Sequence, residues 1–161
     1  MKNLILIRHG KSSWEAPLTD KDRPLTQRGM SDAHHVSAAT AAALPKTFLI
    51  WSSTAKRASE TALIFAQNFS CPVESIIFKD ELYTFDGKQL ENIVRRCHDD
   101  YDNVILFGHN EAITDFVNKF GDRYIENVPT SGFVSIGFEV NKWDAITKGK
   151  TLKTVFPKDL N

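Results

Sequence analysis

Short apolar runs alternate with amphipathic stretches along this chain, and that alternation predicts an α/β fold. Four runs are typical of strands: those at residues 4–7 and 104–107 have the continuous apolar content of strands buried on both faces, and the one at residues 75–78 is weaker. The predicted strands cover residues 4–7, 48–51, 75–78 and 104–107. Apolar positions at helical spacing fill the stretches between and after them. The predicted helices lie within residues 26–44, 55–69, 90–97 and 113–120.

The order of these elements favours a three-layer αβα sandwich around a mostly parallel sheet, because parallel strands are joined through crossover helices. Two further apolar segments, Phe133–Val140 and Thr151–Phe156, are joined by a polar turn and are typical of a hairpin or of paired edge strands. The sheet is therefore expected to contain at least one antiparallel strand. A chain of 161 residues without a low-complexity linker is expected to form a single domain over residues 1–161.

The first two predicted helices carry the clearest apolar stripes. Thr26 has the side chain of a good N-cap, and Pro45 ends the first helix. The face of that helix expected to turn inward consists of Met30, Ala33, Ser37, Ala41 and Leu44. In the second helix the positions expected to turn inward are Ala58, Ala62, Phe65 and Phe69.

Composition and charge are compatible with an enzyme but do not identify one. Twenty Lys and Arg residues balance twenty Asp and Glu residues, so the net charge provides no field that favours nucleic acid or a membrane surface. Cys71 and Cys97 lack metal-ligand spacing and indicate a reduced chain. The chain has neither a signal-peptide pattern nor an apolar stretch long enough for a bilayer, so a cytoplasmic location is expected.

Polar residues follow three of the predicted strands at the point where each strand ends. Arg8-His9-Gly10 follows the first strand, Ser52-Ser53 with Arg57 one helical turn further follows the second, and Gly108-His109-Asn110 follows the fourth. Parallel strands bring their carboxyl ends to a common crevice. Two guanidinium groups and two imidazoles beside helix N-termini make an anion site, and the guanidinium fork favours phosphate as the anion.

Several other kinds of phosphate site are excluded because their sequence motifs are absent. The sequence contains no Walker loop, no Rossmann glycine pattern and no Cys-x5-Arg loop. His9 and His109 have no carboxylates at metal-ligand spacing, and the neighbouring cations would repel a metal ion. The sequence therefore predicts phosphoryl transfer without a metal or any other cofactor.

The residues at these strand ends resemble the histidine phosphatase superfamily, whose fold is phosphoglycerate-mutase-like. The resemblance rests on Leu-Ile-Arg8-His9-Gly10, on Ser52-Ser53-x-Ala55-x-Arg57-Ala58-x-x-Thr61-Ala62 and on Gly108-His109-Asn110. All three motifs occur in the family's order across most of the chain. The short length and the segment Asp22-Arg23-Pro24-Leu25-Thr26-x-x-Gly29 are similar to the small SixA-type phosphohistidine phosphatases.

The resemblance implies that His9 is the nucleophile and forms a phosphohistidine intermediate that water hydrolyses. A nucleophilic imidazole must be neutral with one ring nitrogen free, so we expect its other N–H to bind a backbone acceptor. Arg8 and Arg57 would disfavour protonation of His9 and bind the anion. Arg8, Arg57 and His109 are the expected donors to the phosphoryl oxygens.

The resemblance also implies a carboxylate that acts as proton donor. Glu81 is the candidate, and the adjacent Asp80 is the alternative, because the motif around them is short. A P–N bond is intrinsically labile, so a phosphohistidine demands less of a dedicated acid than an alkyl phosphate ester does.

Four further residues are candidates for contact with the substrate. Gly10 permits close approach of the backbone to a small ligand. Lys11 and Asn110 directly follow two of the motifs, and each is either a pocket residue or a solvated turn residue. Arg23 either reaches the phosphate or anchors its loop through Asp20 or Asp22. Trp14 and Tyr83 lie beside the motif loops and are candidates for the pocket wall.

The sequence as a whole favours a protein phosphohistidine phosphatase that releases inorganic phosphate. About thirty residues separate the helix that carries Arg57 from the strand before Gly108, which leaves little room for a lid. An open pocket suits a side chain that protrudes from a protein. Two alternatives stay open: a phosphomonoesterase that acts on small phosphorylated metabolites, and an inactive module that binds phosphorylated ligands.

Overall fold

The computed structural model describes residues 1–160, in which a mixed sheet lies between two layers of helices. The strands are β1 Lys2–Arg8, β2 Leu49–Ser53, β3 Ile76–Lys79, β4 Asn103–Gly108, β5 Phe133–Phe138 and β6 Lys150–Val155. The α-helices are α1 Gln27–Thr40, α2 Lys56–Asn68, α3 Gly87–Arg95 and α4 Ala112–Phe120. Each predicted strand and helix is present, so the expected sequence of elements is confirmed. None of the helices within residues 1–160 is long and apolar enough to cross a membrane.

The sheet has the strand order β3-β2-β4-β1-β5-β6. β1 pairs in parallel with β4, and β2 pairs in parallel with both β3 and β4. β5 runs antiparallel to both β1 and β6. The predicted α/β class, with a mostly parallel sheet and at least one antiparallel strand, is therefore confirmed.

Two apolar cores lie on opposite faces of the sheet, because successive strand residues point to opposite sides. Leu4 and Leu6 of β1 belong to the core that also contains the apolar residues of α3 and α4. Ile5 and Ile7 belong to the core that contains the apolar residues of α1 and α2. A strand that is apolar on both faces is thus explained by a helical layer on each side.

The inward face of α1 differs from the expected one. Ala33 and Ser37 are buried, but Met30 is 43% exposed, and Val36 and Thr40 are buried instead. In this orientation of α1, Gly29 packs closely against the loop that follows β1. A Cβ atom at Gly29 would lie 2.2 Å from the Lys11 carbonyl oxygen. Polar residues tolerate this burial because their hydroxyls donate to carbonyls one turn earlier, as Thr40 does to Val36 at 2.9 Å.

Four chain segments meet at one edge of the sheet. β1, β2 and β4 end there, and Arg8 pairs with Gly108 in the β1–β4 register. β5 starts at the same edge because it is antiparallel. The Arg8 N–H donates to the Gly132 carbonyl at 3.1 Å, so the segment before β5 is the fourth segment at this edge.

Candidate active site

The sheet edge brings together the four residues that the sequence predicts to be central. His9 directly follows β1, His109 directly follows β4, and Arg57 lies in the first turn of α2. The ring centroids of His9 and His109 are 5.1 Å apart. The Arg57 Nε–H donates to His9 Nε2 at 3.2 Å. Both imidazoles and the Arg57 guanidinium are buried, so these charges and ring nitrogens interact in a poorly solvated environment.

His9 is held in one tautomer. Its Nδ1 lies 2.7 Å from the carbonyl oxygen of Gly10, and a carbonyl only accepts hydrogen bonds, so Nδ1 carries the proton. Gly10 is fixed in turn, since its N–H donates to Thr61 Oγ1 at 2.9 Å. The lone pair of the neutral ring therefore lies on Nε2 and faces Arg57.

Both site imidazoles are held neutral by their surroundings. Burial is the largest cause that lowers the pKa of His9 to about 3, and the charges of Arg57 and Arg8 lower it further against the opposing effect of the Gly10 hydrogen bond. Burial also lowers the pKa of His109 to about 3, with contributions from His9 and Arg57. A neutral imidazole is the form that can act as a nucleophile.

His109 presents a hydrogen-bond donor to the site. Its Nε2 lies 2.8 Å from Ser53 Oγ, and the same hydroxyl accepts the Ala55 N–H at 3.2 Å. The Ser53 hydroxyl proton is satisfied when it points to His109 Nε2, which assigns the ring proton to Nδ1. His109 Nδ1 is buried and has no hydrogen-bond partner among the described residues.

Arg8 is anchored at one end of its guanidinium and unpaired at another. Its Nη1 donates to the Val128 carbonyl at 3.0 Å. Its Nε is buried without a partner in residues 1–160, and so is the Oγ of Ser131. Ser131 directly flanks His9, because its N–H donates to the carbonyls of Arg8 at 3.0 Å and His9 at 3.1 Å.

The unpartnered polar atoms of the interior are thus concentrated in one place. Buried side-chain nitrogen and oxygen atoms normally have hydrogen-bond partners. Across the described residues, those without one are Arg8 Nε, His109 Nδ1 and Ser131 Oγ. All belong to residues that surround His9, and each can donate to an anion. The geometry therefore favours a bound oxyanion beside His9.

Asp20, which the sequence suggests only as an anchor for Arg23, connects the cations of the site. Its Oδ2 accepts from Arg57 Nη2 at 2.9 Å and from the Tyr83 hydroxyl at 2.5 Å. Its Oδ1 accepts from Arg23 Nη2 at 3.1 Å, and its backbone carbonyl accepts from Arg57 Nη1 at 2.6 Å. The spacing Asp20-x-x-Arg23 was the signal in the sequence for this anchor.

The carboxyl group of Asp20 stays ionised in this setting. Its partial burial acts to raise its pKa, but the hydrogen bonds from Tyr83, Arg57 and Arg23 and the charge of Arg57 outweigh that effect and hold the pKa at about 2. A carboxylate this acidic is suited to orienting cations. Asp20 therefore acts here as a fixed anion that holds Arg57 and Arg23 in place.

The two candidate proton donors form other contacts. Glu81 accepts from Arg96 Nη2 at 2.6 Å, and Asp80 accepts from Thr54 Oγ1 at 2.6 Å. Neither carboxylate forms a hydrogen bond with His9, His109 or an arginine of the site among the described contacts. Both follow β3 at the correct sheet edge, but their side chains are paired with residues outside the cluster.

The predicted substrate-contact residues are placed differently from one another. Lys11 is exposed and lines a surface groove with Arg28 and Thr130. The Asn110 amide is engaged structurally, because its Nδ2 donates to Asn127 Oδ1 at 2.8 Å and its Oδ1 accepts from Thr114 Oγ1 at 2.8 Å. The backbone of Gly10 fixes His9 as described above, and Arg23 is buried against Asp20.

Aromatic side chains border the site on two sides. Tyr83 and Phe85 each pack edge-on against His109, with ring centroids 5.3 and 5.4 Å away. The indole of Trp14 lies over the Arg23 guanidinium at 3.5 Å. Trp14 and Phe85 are both largely exposed, so the rim of the site is apolar and open while its floor is cationic.

The described residues contain no group of three or more His, Cys, Asp or Glu side chains arranged to hold a metal ion. The charges around His9 instead come from Arg8 and Arg57. What this site offers chemically is therefore a neutral imidazole beside fixed groups that can donate hydrogen bonds to an oxyanion.

Comparison with known proteins agrees with this geometry. The sequence model of the histidine phosphatase superfamily (branch 1) matches residues 4–114. An uncharacterised chloroplastic protein of Arabidopsis thaliana is 33% identical over an alignment of 122 residues that covers 69% of this chain and 55% of that protein. The chain thus spans about half the length of the curated relative that it matches.

Solved structures share the fold at low sequence identity. The protein histidine phosphatase SixA complexed with tungstate aligns with a TM-score of 0.83 and 17% identity, covering 99% of each chain. A mycobacterial glucosyl-3-phosphoglycerate phosphatase complexed with VO3 aligns with a TM-score of 0.72 and 11% identity, covering 95% of this chain and 98% of the other. At these identities the likeness establishes the phosphoglycerate-mutase-like, SixA-like fold alone.

Proposed function

This chain belongs to the histidine phosphatase superfamily, and on that premise we propose that it is a metal-independent phosphohistidine phosphatase. Its substrate is a phosphorylated histidine side chain of a protein, and its product is inorganic phosphate. The nucleophile is His9, and the phosphoryl group is bound by Arg8, Arg57 and His109. The two cysteines are free thiols, which supports a reducing compartment such as the cytoplasm.

The observation that carries this proposal is the set of unpartnered donors on residues that surround His9. Arg8 Nε and His109 Nδ1 are buried without partners, while the Nδ1–H of His9 is held by Gly10 at 2.7 Å. Fixed donors of this kind stabilise the equatorial oxygens of a phosphoryl group during in-line transfer. A structural arginine and histidine would instead have satisfied their polar atoms internally.

In the first step, His9 Nε2 forms a bond to phosphorus as the bond between phosphorus and the substrate's imidazole nitrogen breaks. The second ring nitrogen of the substrate takes a proton from solvent, so that a neutral imidazole leaves. This protonation is easy near neutral pH because an imidazole has an ordinary pKa of about 6.5. The phosphoryl group passes from one imidazole to another, and the arginines balance its charge throughout.

In the second step, water attacks the phosphorus atom of phosphorylated His9. The P–N bond breaks, the water's proton is released with inorganic phosphate, and His9 recovers its Nε2 lone pair. The ring leaves as a neutral imidazole because its Nδ1 proton stays on the hydrogen bond to Gly10 at 2.7 Å. The Gly10 carbonyl therefore serves both steps, by making His9 a nucleophile and by making it a good leaving group.

The contacts of the carboxylates favour a phosphoramidate over a phosphate ester. An ester needs a proton donor on the enzyme for its leaving alkoxide, whereas the leaving imidazole takes its proton from solvent. In the described part of the chain the carboxylate that touches the arginines of the site is Asp20, and its pKa is held at about 2. Glu81 and Asp80 are paired elsewhere.

A rapid-quench experiment with a 32P-labelled phosphohistidine protein tests the nucleophile. We expect label on the enzyme that is labile in acid and stable in base, and its loss in His9→Ala. The matched control is His35→Ala, which removes an exposed histidine of α1 and should leave the label intact. Full labelling of His9→Ala would end the proposal.

A panel of donors separates the proposed function from its alternatives. Turnover of phosphate esters that exceeds turnover of the phosphohistidine protein would assign the enzyme to small metabolites instead. Tight binding of phosphate without turnover of any donor would identify an inactive binding module.

A further inference from the structure

Phe85 is an aromatic side chain that is fixed in the site yet left open to solvent. Its ring centroid lies 5.4 Å from that of His109 and 5.6 Å from that of Tyr83. The side chain is nevertheless 51% exposed. The aromatic rings that pack against Phe85 thus belong to residues of the site, and about half of the Phe85 side chain is exposed to solvent.

The backbone on either side of Phe85 is held by hydrogen bonds. The Asp86 N–H donates to Thr84 Oγ1 at 3.2 Å, and the Asp86 side chain caps α3 by accepting the Lys88 N–H at 2.9 Å. Thr84 Oγ1 also donates to Gln89 Oε1 at 2.5 Å. The ring therefore projects from an ordered turn at the start of α3.

An ordered, half-exposed phenyl ring beside a buried histidine is suited to packing against another ring. Aromatic pairs favour offset or edge-to-face contact at centroid distances of roughly 4.5–7 Å. Covering the open part of the ring also removes apolar surface from water. His109 and Tyr83 already use two sides of Phe85, which leaves the solvent side for a ligand.

We propose that Phe85 is a specificity-determining residue that packs against the aromatic ring of the leaving group. The inference rests on the proposed function, in which that ring is the imidazole of a phosphorylated histidine. Phosphorus must lie between His9 Nε2 and the leaving nitrogen for in-line transfer. The leaving ring consequently lies on the solvent side of the site, where Phe85 is exposed.

The test compares two phosphoramidates that differ in whether the leaving group has a ring. N-phosphoimidazole leaves an imidazole, and phosphoramidate leaves ammonia. For Phe85→Ala we expect kcat/KM on N-phosphoimidazole to fall about three- to tenfold, mainly through KM, in keeping with the strength of aromatic pairs. On phosphoramidate we expect a change of less than about twofold. Phe85→Leu keeps the bulk without the ring and should show a smaller loss with the same selectivity.

Tyr124→Ala is the matched control, because Tyr124 is a 79% exposed aromatic outside the cluster around His9. It should leave both rates unchanged. Equal losses on both donors would mean that Phe85 only supports His109, and this result would overturn the inference, as would no loss on either. If Phe85→Ala does not fold, the ratio of the two losses in Phe85→Leu decides. Failure of the wild-type protein to turn over both these donors and the phosphohistidine protein would instead refute the proposed function itself, and the inference with it.

Discussion

The Nε–H of Arg57 donates a hydrogen bond to Nε2 of His9 across 3.2 Å. The cation that is expected to bind the substrate therefore already contacts the lone pair that is expected to attack it. The rest of the same guanidinium is held by Asp20, at 2.6 Å through the backbone carbonyl and at 2.9 Å through the carboxylate. Arg57 can bind His9 and Asp20 at the same time because its Nε, Nη1 and Nη2 lie in one planar guanidinium group.

Arg57→Lys is expected to lower kcat/KM for phosphoramidate by about 10²-fold, since an ammonium group cannot bind His9 and Asp20 with the geometry of the fork. Steady-state kinetics on the purified protein checks this. The control is Arg28→Lys, an exposed helix residue paired with Asp32 at 3.7 Å, which should retain full activity. Equal activity of Arg57→Lys and wild type would show that Arg57 supplies charge alone.

His9 is expected to stay neutral, with its proton on Nδ1, well below the pH at which a free imidazole titrates. Burial, Arg57 and Arg8 lower its pKa to about 3. The 15N chemical shifts of the His9 ring should therefore keep the Nδ1–H pattern from pH 8 to pH 5. A change of these shifts to the doubly protonated pattern near the ordinary pKa of about 6.5 would contradict a neutral His9.

The same lowered pKa values predict that the protein loses stability on mild acidification. Below about pH 6.5 the unfolded chain binds protons on His9 and His109 that the folded chain does not. The free energy of unfolding therefore falls as pH decreases from 6.5 towards 3, at up to about 1.4 kcal/mol per pH unit for each histidine. Denaturant titrations between pH 8 and 5 measure the slope.

His9→Gln supplies the comparison for this slope. Between pH 6.5 and 5 the free energy of unfolding of the variant should depend less steeply on pH, because the contribution of one histidine is missing. Above pH 7.5 the free energies of unfolding of the two proteins should change with pH in the same way. The window ends at pH 5 because Asp20 and Glu91, whose pKa values are held at about 2, affect stability only in stronger acid. Identical slopes throughout would mean that His9 is protonated in the folded state.

Asp20→Asn is expected to strengthen the binding of inorganic phosphate and to weaken catalysis. The Asp20 carboxylate competes with an anion for Arg57 and Arg23, so its neutralisation should tighten phosphate binding about two- to fivefold. Loss of the fixed partner for Arg57 should lower kcat. Isothermal titration calorimetry and steady-state rates measure the two effects. Asp22→Asn, in the same turn and bound to Thr19 at 2.8 Å, is the control, and weaker phosphate binding in Asp20→Asn would reject the competition.

Gly29→Ala is expected to destabilise the fold by about 1–3 kcal/mol or more, as overpacking of a tight interface does. The added Cβ would lie 2.2 Å from the Lys11 carbonyl oxygen, and neither backbone can retreat without moving α1 from the site. Gly108→Ala is the matched variant, since its nearest contact would be 3.6 Å, and its stability should change by less than about 0.5 kcal/mol. Thermal unfolding of both proteins checks the contrast.

The strands and helices were predictable because their signals are local. The apolar run from Leu4 to Ile7 predicts a strand buried on both faces, and the structure confirms it. Met30 was misplaced because helical spacing fixes which residues share a stripe but not which stripe turns inward. Tertiary packing decides that orientation, and the close approach of Gly29 to Lys11 is one of the contacts that the observed orientation makes.

The residues of the site also divide into those that local sequence signals predict and those that depend on tertiary structure. Arg8, His9, Arg57 and His109 were found because each is at or just after a strand end, so topology alone brings them together. The connection of Asp20 to Arg57 depends on the path of the loop before α1, for which the sequence has no period. The left-handed backbone of Ser131, with φ of 60°, is unusual for a residue with a side chain and has no signature in the sequence.

The antiparallel direction of β5 has a consequence for how the protein is made. Synthesis runs from the N-terminal to the C-terminal side, so the motifs around His9, Arg57 and His109 all emerge before Val128 and Ser131. A nascent chain that already holds every catalytic candidate still lacks the carbonyl that anchors Arg8 and the N–H that joins the backbone of Arg8 and His9. The contacts that anchor the Arg8 guanidinium and join the backbone of Arg8 and His9 to Ser131 therefore form only after the segment before β5 has been synthesised.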